Sequence, residues 1–364
     1  MDKEMKFLDL FAGIGGFRLG MESAGHECIG FCEIDKFARA SYKAIHDTKG
    51  EIELHDITRV TDESIRRIGC VDAICGGFPC QAFSIAGNRR GFEDTRGTLF
   101  FEIARFASIL RPQYLFLENV KGLLNHENGI TFETIISTLD ELGYDVEWQV
   151  LNSKDFGVPQ NRERVFIIGH FRGECTRRIF PLSGQSQSIS NKSVVKIGNV
   201  NPSGNGMNGE VYQADGLAPT LTTNKGEGQK IAIKSNTIKQ FGVLQPNFNQ
   251  CGVVYETDGI APTIRAYQGG GLEPKIIQRG HGYNQGGVHE IAPTLTSNSY
   301  HENNHLSFGY RIRKLTPREC WRLQGFPDWA FDKAQEVNSN SQLYKQAGNS
   351  VTVNVIAAIA KELE

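Results

Sequence analysis

A chain of 364 residues is long enough to bury a substantial core, as two domains or one large one. No apolar run approaches the roughly 20 residues of a membrane span and the first residues do not resemble a secretion signal, so a soluble cytoplasmic protein is expected. Eight cysteines without a C-x-x-C pair argue against a zinc site, any other metal and a disulfide framework, and a net charge of -2 argues against a general nucleic-acid coat.

Residues 5–11 read as an apolar strand, followed by the glycine turn Ala12-Gly13-Ile14-Gly15-Gly16 and a helix. That is the opening unit of a nucleotide-binding fold, where glycines let a ligand approach the backbone. Glu33 stands twenty residues after Gly13, at the end of the next apolar run, placed to hold a ribose diol. The geometry would serve NAD as readily as S-adenosylmethionine. The turn lacks the third spaced glycine of the dinucleotide fingerprint, however, and no phosphate-binding lysine follows. Asp56 is placed to cap a turn opened at Thr58.

Residues 71–75 form a β-prone run ending in Gly76-Gly77, a buried strand that delivers Phe78-Pro79-Cys80-Gln81 to its carboxyl end. In open α/β sheets that is where ligands bind. Pro79 stiffens the backbone before Cys80, so the thiol is presented rather than buried. Residues 98–110 read as an amphipathic helix ended by Arg111-Pro112, and Tyr114-Leu115-Phe116-Leu117 as a strand that terminates in Glu118-Asn119-Val120. A carboxylate there neighbours the strand that carries the thiol. Arg162 and Arg164 enter the strand 165–169 at i and i+2 and point the same way, suited to a pyrimidine carbonyl or a phosphate; a surface pair with Glu163 is the alternative.

From about Gly173 Ser, Asn, Gln and Gly dominate, predicting a second, irregular, mostly β domain. Its stretch 172–313 holds 14 Lys and Arg against 9 Asp and Glu, so phosphate contacts should concentrate there. It contains a repeat in three copies, each a short strand, a turn, Ala-Pro-Thr and a variable polar loop. The prolines, Pro219, Pro262 and Pro293, are 43 and 31 residues apart, too irregular for a solenoid. A shared frame with differing tips suggests different base edges being read. Thr316 then caps a helix with Pro317 at its first position and Glu319 in its first turn.

Phe78-Pro79-Cys80-Gln81-Ala82-Phe83-Ser84, followed by residues 91–100, closely resembles the nucleophile segment of the DNA (cytosine-5) methyltransferases, most of all the small bacterial restriction-modification and phage enzymes. Residues 9–16, Glu118-Asn119-Val120, 156–164, 311–327 and Gly348-Asn349-Ser350-Val351 resemble further motifs of that family, in its order.

The resemblance implies an S-adenosylmethionine-dependent, Rossmann-like α/β fold with a mostly parallel sheet and a smaller β-rich target-recognition domain. The expected domains are 1–172 plus 328–364, discontinuous and catalytic, and 173–327 for target recognition. It implies that Cys80 adds to cytosine C6, that Glu118 handles the proton on N3, and that Arg164 contacts the base at O2 with Arg162 in support. The base that removes the C5 proton is not identified. For the cofactor it implies Phe11 packing on adenine, Gly13, Ile14, Gly15 and Gly16 along the amino-acid end, Glu33 on the ribose, Ile34 over the adenine and Asp56 on its amine. Ile57, Pro79 and Leu99 are part of this set, and Asn349, Ser350 and Val351 complete the methionine end.

The target is duplex DNA, from which the cytosine must be flipped at a cost of a few kcal/mol. Residues 81–96 are read as a loop that closes over the DNA, with Gln81, Ser84 and Arg96 as contacts. Thr222, Arg265 and Thr296 are the expected contacts of the three repeats. Three copies raise the hypothesis of several recognition sequences; one functional loop on a duplicated scaffold is the alternative, as is an RNA cytosine-5 methyltransferase. The expected protein is a monomer, and a cognate restriction endonuclease acting on the same site is a partner the resemblance allows.

Overall fold

The computed structural model describes residues 4–79, 99–174, 176–184, 193–199, 209–214, 216–221 and 310–363, with short strands at 230–234, 240–243, 253–255, 276–278, 287–289 and 304–305. The chain divides into two units, one of Met1–Val194, Gly216–Gly228 and Leu315–Glu364, the other of Val195–Asp215 and Gln229–Lys314.

In the first unit seven strands form one sheet: β1 (Lys6–Leu10), β2 (Glu27–Cys32), β3 (Ile52–Leu54), β4 (Ala73–Gly77), β5 (Tyr114–Val120), β6 (Tyr144–Asn152) and β7 (Glu163–Phe171). Their order is β3-β2-β1-β4-β5-β7-β6, with β7 antiparallel to both neighbours. Helices α1 (Gly16–Ser23), α2 (Lys36–Ile45), α3 (Asp62–Arg66), α4 (Leu99–Leu110) and α5 (Ile130–Glu141) connect the strands. Four more close the chain: α6 (Pro317–Leu323), α7 (Asp328–Val337), α8 (Asn340–Asn349) and α9 (Val353–Ala360).

The period of two along each strand sorts side chains between two cores. Leu8, Leu10, Ile74, Leu115, Leu117 and Ile167 meet Phe100, Ile103 and Phe106 of α4 and Ile135 of α5. Phe7, Ala73, Cys75, Tyr114, Phe116, Phe166 and Ile168 meet Phe17 and Met21 of α1 and Ile356 and Ile359 of α9. The last helix of the chain therefore covers the same face as the first.

Residues 315–327, which the sequence assigns to the target-recognition domain, pack in the first unit. The cause is Trp321, wholly buried, which donates its indole N–H to the Leu343 carbonyl at 3.0 Å and packs edge-on against Phe326 and Phe331. The helix that carries it opens with a capping box between Thr316 and Glu319, as its sequence predicts.

In the second unit the strands are β8 (Lys196–Asn199), β9 (Glu210–Gln213), β10 (Lys230–Lys234), β11 (Gln240–Val243), β12 (Val253–Tyr255), β13 (Ile276–Gln278), β14 (Gly287–His289), β15 (Asn304–His305) and β16 (Tyr310–Lys314). They form three small sheets, β16-β10-β9-β8, β11-β12 and β14-β13-β15. The first strand of every repeat, β9, β12 or β14, pairs antiparallel with the strand before it, β8, β11 or β13. In each copy the first strand is thus half of an antiparallel pair whose other strand lies upstream of the self-similar stretch.

The Ala-Pro-Thr segment of the first copy lies in the first unit. The Ala218 N–H donates to the Pro159 carbonyl and its carbonyl accepts from the Asn161 N–H, both at 2.8 Å, and the Thr220 hydroxyl donates to the Asn161 carbonyl at 2.8 Å. Among the described residues no helix is long and apolar enough to cross a membrane, and no cluster of His, Cys, Asp and Glu could hold a metal.

Candidate active site

Strand order reverses between β1 and β4, so the crevice at their carboxyl ends is where an open sheet of this kind takes a ligand. β1 leaves the sheet through Phe11, held at φ 55°, a conformation that costs a non-glycine residue free energy and marks functional turns. Gly13 follows at φ 56° with no atom within 4 Å of where a Cβ would stand, which leaves its backbone open to a ligand. A Cβ on Gly16 would collide with Val351 and Ser350, so the chain's last loop lies directly on the glycine turn.

Glu33 follows β2 and turns its carboxylate back onto that turn. It accepts from the Gly13 N–H at 2.8 Å and the Asp35 N–H at 2.7 Å, one bond to each oxygen. Burial raises its pKa, while those two bonds work to lower it. Next to it Ile34, a large apolar residue, is 68% exposed.

The rest of the expected cofactor set divides by environment. Ile14 and Ile57 bury their side chains, leaving only backbone to offer, and Leu99 packs against the α4 core. Phe11 is half-buried, Gly15 and Ser350 and Val351 are buried, and Pro79 and Asn349 are exposed. Asp56 caps the turn 57–59, taking the Thr58 N–H at 3.1 Å and hydroxyl at 2.7 Å on one oxygen and facing Arg59 at 3.2 Å with the other. The Thr58 bonds hold its carboxyl below the ordinary range.

β4 and β5 run parallel with Gly77 opposite Glu118. Glu118 is 7% exposed, and its Oε1 stands 3.0 Å from Arg164 Nε. Burial pushes its carboxyl up, and the charges of Arg164 and Arg162 oppose that. Glu163 pairs instead with Lys121 at 3.0 Å, so the surface pair with its flanking arginines does not form. Asn119, not singled out in the sequence, donates its side-chain amide to the Phe78 carbonyl at 2.9 Å and so pins the backbone just ahead of Pro79.

Arg162 acts on Glu118 through its charge, while its hydrogen bonds go elsewhere. It is 2% exposed and donates to the Ser350 carbonyl at 2.8 Å and, through both terminal nitrogens, to the Gly348 carbonyl at 3.5 Å. Cys80, Gln81, Ser84, Arg96, Thr222, Arg265 and Thr296 lie outside the described residues.

Asp9, also missed, sits wholly buried on β1 behind the glycine turn. Tyr42 donates to it at 3.4 Å, and Arg18 nearby is held by Glu22 and Glu51. Burial pushes the Asp9 carboxyl well up against the pull of Arg18 and Tyr42. A raised folded pKa stabilises fully below the unfolded value of about 3.9 and is lost as pH rises through the folded value. Asp9→Asn escapes that loss, so its unfolding free energy in urea, relative to the natural protein, should climb as pH rises above the unfolded value and level off past the raised folded one. A difference that stays flat would mean that Asp9 titrates normally.

The family model for C-5 cytosine-specific DNA methylase matches residues 5–364. The chain is a member of that family. The orphan methyltransferase M.SPRI of Bacillus phage SPR is 36% identical, covering 99% of this chain and 97% of its own. The type II methyltransferase M.HhaI of Haemophilus parahaemolyticus is also 36% identical, covering 98% and 93%. Among solved structures, the S. pombe Dnmt2 methyltransferase superposes with a TM-score of 0.57 at 18% identity, over 98% of this chain and 96% of that one, a likeness of fold. The sheet is that of the S-adenosylmethionine-dependent methyltransferase fold, the enzyme is a C-5 cytosine-specific DNA methyltransferase, and the RNA alternative is not favoured.

Proposed function

We propose that this methyltransferase takes a cytosine flipped out of duplex DNA, adds the Cys80 thiolate to C6, and uses S-adenosylmethionine as its methyl donor. The observation that carries this reading is Glu118, buried, paired with Arg164 and opposite Gly77, three residues before Cys80. Cytosine C5 is a poor nucleophile until C6 is saturated. A carboxyl raised by burial can hold a proton for N3 as charge develops there, and Arg164 beside it orients that carboxyl and is placed for the base oxygen.

The residues at the glycine turn fit S-adenosylmethionine. Each oxygen of Glu33 has accepted one backbone bond, which leaves a lone pair on each for a ribose diol. Exposed Ile34 offers an apolar lid for adenine, and the open backbone at Gly13 leaves room for the amino-acid end bounded by Ser350 and Val351. When bound, the cofactor supplies an electrophilic methyl group.

The second unit is read as the target-recognition region of a monomeric, cytoplasmic enzyme. The antiparallel strand pair shared by its three repeats supports several recognition sequences. Bisulfite sequencing of a random-sequence plasmid library grown with the protein should show methylated cytosines in more than one context. One context alone would leave two repeats as scaffold, and no methylated cytosine from folded protein would overturn the function proposed.

A further inference from the structure

The last carbonyls of a helix have no partner within it. At the end of α8 they are met by side chains from distant parts of the chain. The Ala347 carbonyl accepts from Gln324 Nε2 at 2.8 Å, the Gly348 carbonyl lies 3.5 Å from both terminal nitrogens of Arg162, and the Ser350 carbonyl accepts from Arg162 Nη2 at 2.8 Å. A cation there also faces the negative end of the helix.

Behind Gln324 the hydrogen bonds continue through two hydroxyls. The Thr352 hydroxyl gives its single proton to Gln324 Oε1 at 3.0 Å, so it accepts from the Ser153 hydroxyl at 2.8 Å. Ser153 also donates its N–H to the Arg162 carbonyl at 3.0 Å, with its hydroxyl 3.3 Å from the same oxygen, which ties the chain of bonds to Arg162. All four side chains are buried. Removing one member of such a chain leaves its partner unsatisfied away from water.

We propose that Arg162, Gln324, Thr352 and Ser153 are positioning residues for the cofactor end of the site: they fix the carbonyls of 347–350, and with them Asn349, Ser350 and Val351. Arg162 and Arg164, two residues apart, then serve opposite sides, Arg164 the base through Glu118 and Arg162 the cofactor. This inference rests on the function proposed above, in which residues 349–351 border S-adenosylmethionine.

Calorimetric titration with S-adenosylhomocysteine and filter retention of labelled plasmid fragments separate the two sides. Thr352→Val keeps the shape and breaks the chain of bonds, while Arg162→Lys keeps the charge and loses the fork. Each should weaken S-adenosylhomocysteine up to about tenfold, the scale of one buried hydrogen bond, with DNA retention within about twofold of the natural protein. Thr352→Ser should restore binding. Unchanged S-adenosylhomocysteine affinity in a variant that melts with the natural protein overturns the inference, as does a parallel loss of DNA retention. If Thr352→Val melts early, Arg162→Lys decides. A natural protein that binds no S-adenosylhomocysteine overturns the proposed function instead.

Discussion

Cys80→Ala should lower methyl transfer by a factor on the order of 10⁴ or more, because in the proposed mechanism its thiolate alone saturates cytosine C6 and the reaction would lose its covalent route. DNA retention should survive, since binding draws on phosphate contacts rather than on the thiol. A duplex carrying 5-fluorocytosine gives a sharper readout. The fluorine cannot leave as a proton does, so the natural protein should stay joined to the strand through denaturing electrophoresis and Cys80→Ala should not. A residual rate within about tenfold of the natural one would mean that Cys80 is not the nucleophile.

Glu118→Gln should cost between about 10² and 10⁴ in kcat, the range of a lost general acid or a lost preorganised donor. Its pH dependence distinguishes the two forms of the carboxyl. Burial raises the Glu118 pKa, so the protonated form extends to higher pH than for an exposed glutamate, and the rate through this group should fall as pH rises past that raised value. The glutamine variant should lack that limb. The variant also leaves Arg164, mostly buried, without its counter-charge, at a cost of about 3 kcal/mol in urea unfolding, so rates must be compared well below the midpoint. A variant as fast as the natural protein, with the same pH limb, would remove Glu118 from the mechanism.

The sheet centre was legible because its strands are buried on both faces and read as short apolar runs closed by glycines or acids: 5–11, 71–75 and 114–117 overlap β1, β4 and β5. β6 was not, because as an edge strand it alternates poorly, with Trp148 partly in water and only Tyr144 and Leu151 fully buried. In the second unit strands of two to five residues among Gly and Asn give no period to read. The repeats were visible through Ala-Pro-Thr, whereas their upstream strands share too few side chains.

Within the site, spacing placed Arg162 and Arg164 on one side of a strand but could not say what either meets. The carbonyls that claim Arg162 come from 186 and 188 residues away. The Asp56 cap was readable from Thr58 because it is local. Asn119 and Asp9 were passed over for the opposite reason: each sits inside a recognised motif and acts on backbone or side chains of another strand or helix.

The packing of α9 against α1 sets an order on synthesis. While the ribosome is still reading the second unit, Phe17, Met21 and Phe116 have no α9 to cover them, and the glycine turn has no Val351 against it. Until α9 arrives, that face of the sheet is apolar and uncovered, and the glycine turn lacks the wall that Val351 gives it. A chain that stops before Val353 should therefore expose Phe17, Met21 and Phe116 and unfold at lower urea than the natural protein.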